Sequence, residues 1–183
     1  MNEKNCVTII SGTNRRKSHS FILARYILNY LQKKGTPVKL LDLEEVPLSI
    51  LDNNTYTAEN QIKELTEIQD NYFVGSSKFI FVVPEYNGSI PGVVKMLLDA
   101  LSVRKYDESF FHKKACLIGV AAGRAGNLRG MDHLSDILNY LGVIVFPSKL
   151  PVSRVFEILD GRELINGEVV ETLNQLVDDF LEF

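Results

Sequence analysis

Ten residues near the start of the chain, Ser11-Gly12-Thr13-Asn14-Arg15-Arg16-Lys17-Ser18-His19-Ser20, gather hydroxyls and three cations into one short stretch. They follow an apolar run, Val7-Thr8-Ile9-Ile10, and precede an amphipathic segment over residues 21–34. The order of strand, hydroxyl-rich basic loop and helix places free backbone N–H groups and the positive end of a helix dipole beside the loop. Such an arrangement grips a phosphate. The hydroxyls of Thr13, Ser18 and Ser20 can add donors, and Arg15, Arg16 and Lys17 supply charge. The same letters also suit a capped helix start with a solvated basic turn, because Ser is a favoured N-cap.

Two more loops rich in glycine and polar residues follow apolar runs. One is Pro84-Glu85-Tyr86-Asn87-Gly88-Ser89-Ile90-Pro91-Gly92, and the other is residues 122–127, containing Gly123-Arg124-Ala125-Gly126-Asn127. Each alone is a weak signal. Together, at the ends of strands of one sheet, they would offer a phosphate site and backbone N–H and C=O groups for a planar ring.

The elements that must position these loops alternate along the whole chain. Residues 6–10, 38–41, 78–83, 115–121 and 143–146 read as strands, and the first, β-branched and without polar alternation, fits a sheet covered on both faces. Helical patterns separate them. Leu23, Ala24, Ile27, Leu28 and Leu31 share one side of the first, which Gly35 ends. Residues 58–74 form a second helix with Ile62, Leu65, Tyr72 and Phe73 buried. A short helix follows Pro91, and another from Leu128 buries Met131, Leu134, Leu138 and Leu141 and stops at Gly142. The tail turns through Asp160-Gly161-Arg162 into a last helix presenting Val169, Leu173, Leu176, Val177 and Phe180. Residues 42–57, with Pro47 and Asn53-Asn54, make a long irregular connection. Repeats and linkers are lacking, so the 183 residues are expected to form one domain. Its fold class is α/β, a doubly wound parallel sheet with helices on both faces.

Composition narrows the function. A net charge of -3 argues against a nucleic-acid partner, and 45% hydrophobic with 23% charged residues is ordinary for a globular chain. Cys6 and Cys116 sit inside apolar runs without CxxC spacing, which disfavours zinc or an iron–sulfur cluster and suggests buried thiols. Residues 1–5 lack a signal-peptide apolar region and no segment approaches transmembrane length, so the expectation is a cytoplasmic protein without a membrane partner.

Arg16 stands where a Walker A loop needs glycine, and GxGxxG is absent, which disfavours a P-loop nucleotidase and a Rossmann dinucleotide site. There is no GxSxG elbow. His19, His112 and His133 lie in polar surroundings without an evident Ser or Cys partner, and Lys95 with Asp99 reads as a surface pair. No side chain emerges as an acid–base catalyst. A phosphate cup, a ring-facing backbone loop and no such machinery suit a cofactor that carries its own chemistry, a description that flavin mononucleotide (FMN) meets.

Residues 12–20 resemble the GSxRxxSxN phosphate loop of the NADPH-dependent FMN reductase family. Residues 84–92 resemble its PEYNxSxPG loop, continuing into Lys95, Asp99 and Ser102 at the same spacing, and Gly123-Arg124-Ala125-Gly126 is similar to its third flavin loop. Thr13 replaces the usual Ser, Ser20 the usual Asn, and Met96 and Ala100 the more typical Asn and Trp. The resemblance implies a flavodoxin-like five-stranded sheet, order 2-1-3-4-5, in a homodimer or homotetramer with FMN at a subunit edge. Carried over, Thr13, Arg15, Ser18 and Ser20 would hold the phosphate. Pro84, Glu85, Tyr86, Asn87 and Gly88 would line the isoalloxazine largely through backbone groups, with Gly123 at the other edge. NADPH or NADH would stack on the ring and pass hydride to it, and a small-molecule acceptor such as a quinone, azo compound, metal oxyanion or free flavin would be reduced in turn. Two alternatives stay open: a flavodoxin-like FMN electron carrier that does not oxidise nicotinamide, and a flavin-free protein of the same fold.

Overall fold

A computed structural model of the chain describes residues 6–47, 49, 53–161 and 163–183. Residues 1–5 and Arg162, both used in the sequence reading, lie outside the described residues, as do the side chains of Asn53 and Asn54. The elements in order are β1 (Val7–Ser11), α1 (His19–Lys33), β2 (Val38–Asp42), α2 (Lys63–Ile68), β3 (Lys78–Pro84), α3 (Gly92–Leu101), α4 (Tyr106–Phe110), β4 (Lys114–Val120), α5 (Leu128–Tyr140), β5 (Ile144–Val145), β6 (Leu150–Val152), α6 (Val155–Ile158), β7 (Leu159–Asp160), β8 (Glu163–Leu164) and α7 (Gly167–Glu182).

The main sheet runs β2-β1-β3-β4-β5 and is parallel throughout. Its fifth position is shared, because β6 also pairs with β4. Pro147 lies between the two short strands and has no N–H to continue the ladder. Phe146 meanwhile turns its ring onto Phe180 and Phe183, with centroids 5.7 and 5.0 Å away. The expected fifth strand is thus a pair of fragments around a proline.

Alternation along the strands divides the apolar residues between two faces. On β3, Phe79, Phe81 and Val83 enter the core beneath α3 and α5, while Ile80 and Val82 join Leu23, Ile27, Leu173 and Val177 beneath α1 and α7. The first and last helices bury the sides foreseen from their spacing, except that Leu28 and Val169 are only partly covered. The expected helix over residues 58–74 is corrected to a 3₁₀ turn (Ala58–Asn60), then α2, then a π-helical turn (Gln69–Val74). Ile62 falls at the N-cap of α2 and is 41% exposed, not buried. Gln69 explains the later change of pitch. Fully buried, it donates to the Leu101 carbonyl and Ser109 Oγ, each at 2.8 Å, and to the Arg104 carbonyl, locking this segment onto the ends of α3 and α4.

Strands β2 and β3 lie on opposite sides of β1, so strand order reverses there and a crevice opens beyond the carboxyl ends of β1 and β3. Among the described residues, no helix is long and apolar enough to cross a membrane.

Candidate active site

Gly12 lets the first loop leave β1. A Cβ there would stand 2.6 Å from Val83 Cγ1 and 3.2 Å from the Val82 carbonyl, so only glycine lets the chain pass this close to β3. The loop then climbs to Ser18, whose extended backbone and side chain cap α1: Ser18 Oγ accepts from Phe21 N–H at 3.2 Å. Ser20 donates to the same oxygen, also at 3.2 Å. A hydroxyl offers two lone pairs and one proton, so Ser18 has both acceptor sites filled and keeps its proton for an outside acceptor. Buried Thr13 accepts from Arg15 N–H at 3.2 Å. Arg15, Arg16 and Lys17 are exposed, and none of them forms an ion pair among the described residues. Behind the loop, burial lifts the Asp42 carboxyl above the usual carboxylate range, an effect opposed by the Glu44 N–H and by Ser11.

The second loop is a two-residue hairpin. Tyr86 and Ser89 exchange backbone hydrogen bonds of 2.9 and 3.1 Å, and both central residues, Asn87 and Gly88, have positive φ. An Asn-Gly pair is the residue choice such a turn favours. Tyr86 OH reaches Thr13 Oγ1 at 2.8 Å, joining the first loop to the second. On the other side Ser89 Oγ meets His133 Nδ1 of α5 at 2.9 Å. The expectation that His133 has no Ser partner is corrected here; the contact joins residues 44 positions apart and no local pattern announces it.

The third loop is folded down on the sheet. A Cβ on Gly119 would come within 2.2 Å of the Gly126 carbonyl oxygen, so this strand residue has to be glycine. Asn127 Nδ2 donates to the Val83 carbonyl at 3.0 Å, fastening the start of α5 to the end of β3. The segment after β6 is tied to the same loop through Val155 N–H to Ala121 O and Arg154 N–H to Gly123 O, each 3.1 Å.

A cleft of about 360 Å³ lies among these loops. The structure brings Thr13, Arg15, Ser18, Ser20, Pro84, Glu85 and Tyr86 together on its walls. Asn87, Gly88 and Gly123 are not on its lining; the first two form the turn and Gly123 anchors Arg154, while Ala121 and Ala122 face the cleft instead. Sequence reasoning missed Phe156. Its ring is 67% exposed, lines the cleft, and stands edge-on to His19 with centroids 5.0 Å apart. Its helix, α6, is only four residues long, too short for any apolar period to mark it.

A parallel doubly wound sheet with a phosphate-type cup and a backbone-rich wall at its switch point defines a flavodoxin-like nucleotide-binding protein. The model of the NADPH-dependent FMN reductase family matches residues 6–157, and the chain belongs to that family. It is similar to an FMN-dependent NADPH-azoreductase of Staphylococcus aureus, 29% identical over 179 residues covering 96% of this chain and 93% of the relative. An NADPH azoreductase of Bacillus sp. (strain OY1-2) is 24% identical over 178 residues, covering 96% and 88%. Among solved structures, a flavoenzyme NAD(P)H:(acceptor) oxidoreductase of Paracoccus denitrificans superposes with a TM-score of 0.78 at 18% identity, covering 97% of this chain and 96% of its own. Family membership defines an NAD(P)H-dependent flavin oxidoreductase with FMN as cofactor and a small-molecule acceptor.

The cleft suits that cofactor. Its volume is within the range of small-ligand sites, on the order of 300–1,000 Å³. The helix N-terminus, the uncommitted proton of Ser18 and three cations with no ion pair among the described residues match a dianionic phosphate.

Proposed function

We propose that the protein is an FMN-dependent oxidoreductase that takes electrons from NADPH and passes them to a planar aromatic acceptor of the azo or quinone type. One observation carries this reading: the basic, hydroxyl-lined cup at the start of α1 and the end of β3 with the first hairpin residue, Pro84, Glu85 and Tyr86, line a single cleft. In it, Arg15, Thr13 and Ser18 hold the phosphate, with Ser20 behind Ser18, and the backbone of residues 84–88 lines the ring. Ala121 and Ala122 close the far edge, with Gly123 behind them holding Arg154. Bound FMN supplies the chemistry by accepting hydride and giving up electrons. The chain's part is to bind, orient and leave one ring face open to donor and acceptor in turn. Arg16 and Lys17, exposed beside the cleft, suit the phosphates of the donor. The azo assignment is supported by the names of the two relatives. On this reading the protein works in the cytoplasm as a homodimer or dimer of dimers, with Met96 on α3, 39% exposed, available for contact.

Purified protein is expected to be yellow, or to become so on adding FMN. With NADPH present it should turn over an azo dye or a quinone faster than a metal oxyanion. Protein that neither carries nor takes up FMN contradicts the reading, and FMN-loaded protein that NADPH does not reduce points to an electron carrier.

A further inference from the structure

Thr13 and Tyr86 come from different loops, 73 positions apart, yet their hydroxyls meet at 2.8 Å within the cleft. Thr13 Oγ1 already accepts from Arg15 N–H. Two arrangements remain for the pair. If Thr13 donates to Tyr86, its one proton is committed and a lone pair is left toward the cup, where it would repel an anion. If Tyr86 donates to Thr13, both lone pairs of Thr13 are filled and its proton is free to point at an anionic oxygen. Ser18 stands in the second arrangement already, accepting from Phe21 N–H and from Ser20 while keeping its own proton.

We propose that Tyr86 is a positioning residue for the phosphate of the cofactor, acting through Thr13: by donating to Thr13 it turns that hydroxyl into a dedicated donor. This deepens, and rests on, the reading of the cleft as an FMN site. It gives Tyr86 two duties, since its backbone belongs to the hairpin beside the ring and its side chain serves the other end of the cofactor. The phosphate is what selects the direction of the hydroxyl pair. The Tyr86 hydroxyl therefore strengthens binding of FMN and does nothing for riboflavin, which has the same ring and ribityl chain without the phosphate.

Flavin affinities measured by fluorescence quenching, on flavin-free protein whose fold is checked by thermal melting, test this. Tyr86→Phe is expected to weaken FMN binding about tenfold, in line with loss of support for a hydrogen bond to a charged group, and to change riboflavin binding less than about twofold. Thr13→Val should weaken FMN binding at least as much, Thr13→Ser should retain most of it, and Thr13→Val with Tyr86→Phe should be no worse than Thr13→Val alone. Equal weakening of both flavins by Tyr86→Phe would assign the residue to the ring and overturn the proposal. Unchanged FMN affinity in Tyr86→Phe, or additive losses in the double variant, would do so as well. Should Thr13→Val fail to fold, the contrast between FMN and riboflavin in Tyr86→Phe decides alone. Wild-type protein that binds no FMN removes the FMN reading itself, a different failure from FMN-binding protein in which Tyr86 is silent.

Discussion

The guanidinium of Arg15 is exposed on the cleft wall and ion-paired with no described residue, so little in the protein competes for it. Arg15→Ala is expected to weaken FMN retention by about 10–100-fold, the equivalent of one hydrogen bond to a charged group, while leaving hydride transfer in the loaded enzyme near the wild-type rate. Equilibrium dialysis of FMN against the variant checks it; unchanged affinity would remove Arg15 from the cup. Residue types in residues 11–20 announced an anion site because hydroxyls, cations and a helix start are local features. What each hydroxyl does was not legible. Ser20 lines the cleft and also donates to Ser18, and Thr13 is a partner of Tyr86 as well as a candidate for the anion. The partner of His133 was equally hidden, because Ser89 reaches it only once two loops have been folded together.

At the scale of elements, the loops keep their places through close backbone approaches more than through side-chain contacts. Gly119→Ala would drive a Cβ to 2.2 Å from a backbone oxygen that cannot swing away, whereas Gly12→Ala presses first on the Val83 side chain at 2.6 Å. Both are expected to destabilise, Gly12→Ala by about 1–3 kcal/mol and Gly119→Ala by more, as urea denaturation of the two variants can compare. Lys113 gives a pH-dependent case at the opposite end of the sheet. It donates to the carbonyls of Phe73 and Val74 where the π-helical turn ends, and burial lowers its pKa to about 8. Below about 8 the ammonium is charged in folded and unfolded chains alike. Between about 8 and the ordinary lysine value of 10.5 the unfolded chain binds more protons, so this group makes stability rise with pH. Lys113→Met should flatten that rise relative to wild type; parallel pH profiles would show that the ammonium is not so affected. Strands and amphipathic helices were legible wherever one pattern ran unbroken. The pattern failed at residues 58–74, where the helix starts only after Ile62, leaving that residue exposed at the N-cap, and changes pitch at Gln69, which captures the carbonyls of Leu101 and Arg104.

For the whole molecule, the alternation of apolar runs and helical patterns pointed to a doubly wound sheet, and β2-β1-β3-β4-β5 is the order found. Strand order came from the resemblance of the loops, since periodicity says nothing of which strand neighbours which. The same order creates the crevice beyond β1 and β3 in which the first and second loops meet, so fold and site are one consequence of strand order reversing beside β1. The most direct test of the account is an anaerobic titration of the FMN-loaded protein with NADPH, followed by flavin absorbance. The account predicts stoichiometric bleaching of the yellow colour, with recovery when an azo dye or quinone is added. A flavin that stays oxidised under excess NADPH would contradict it.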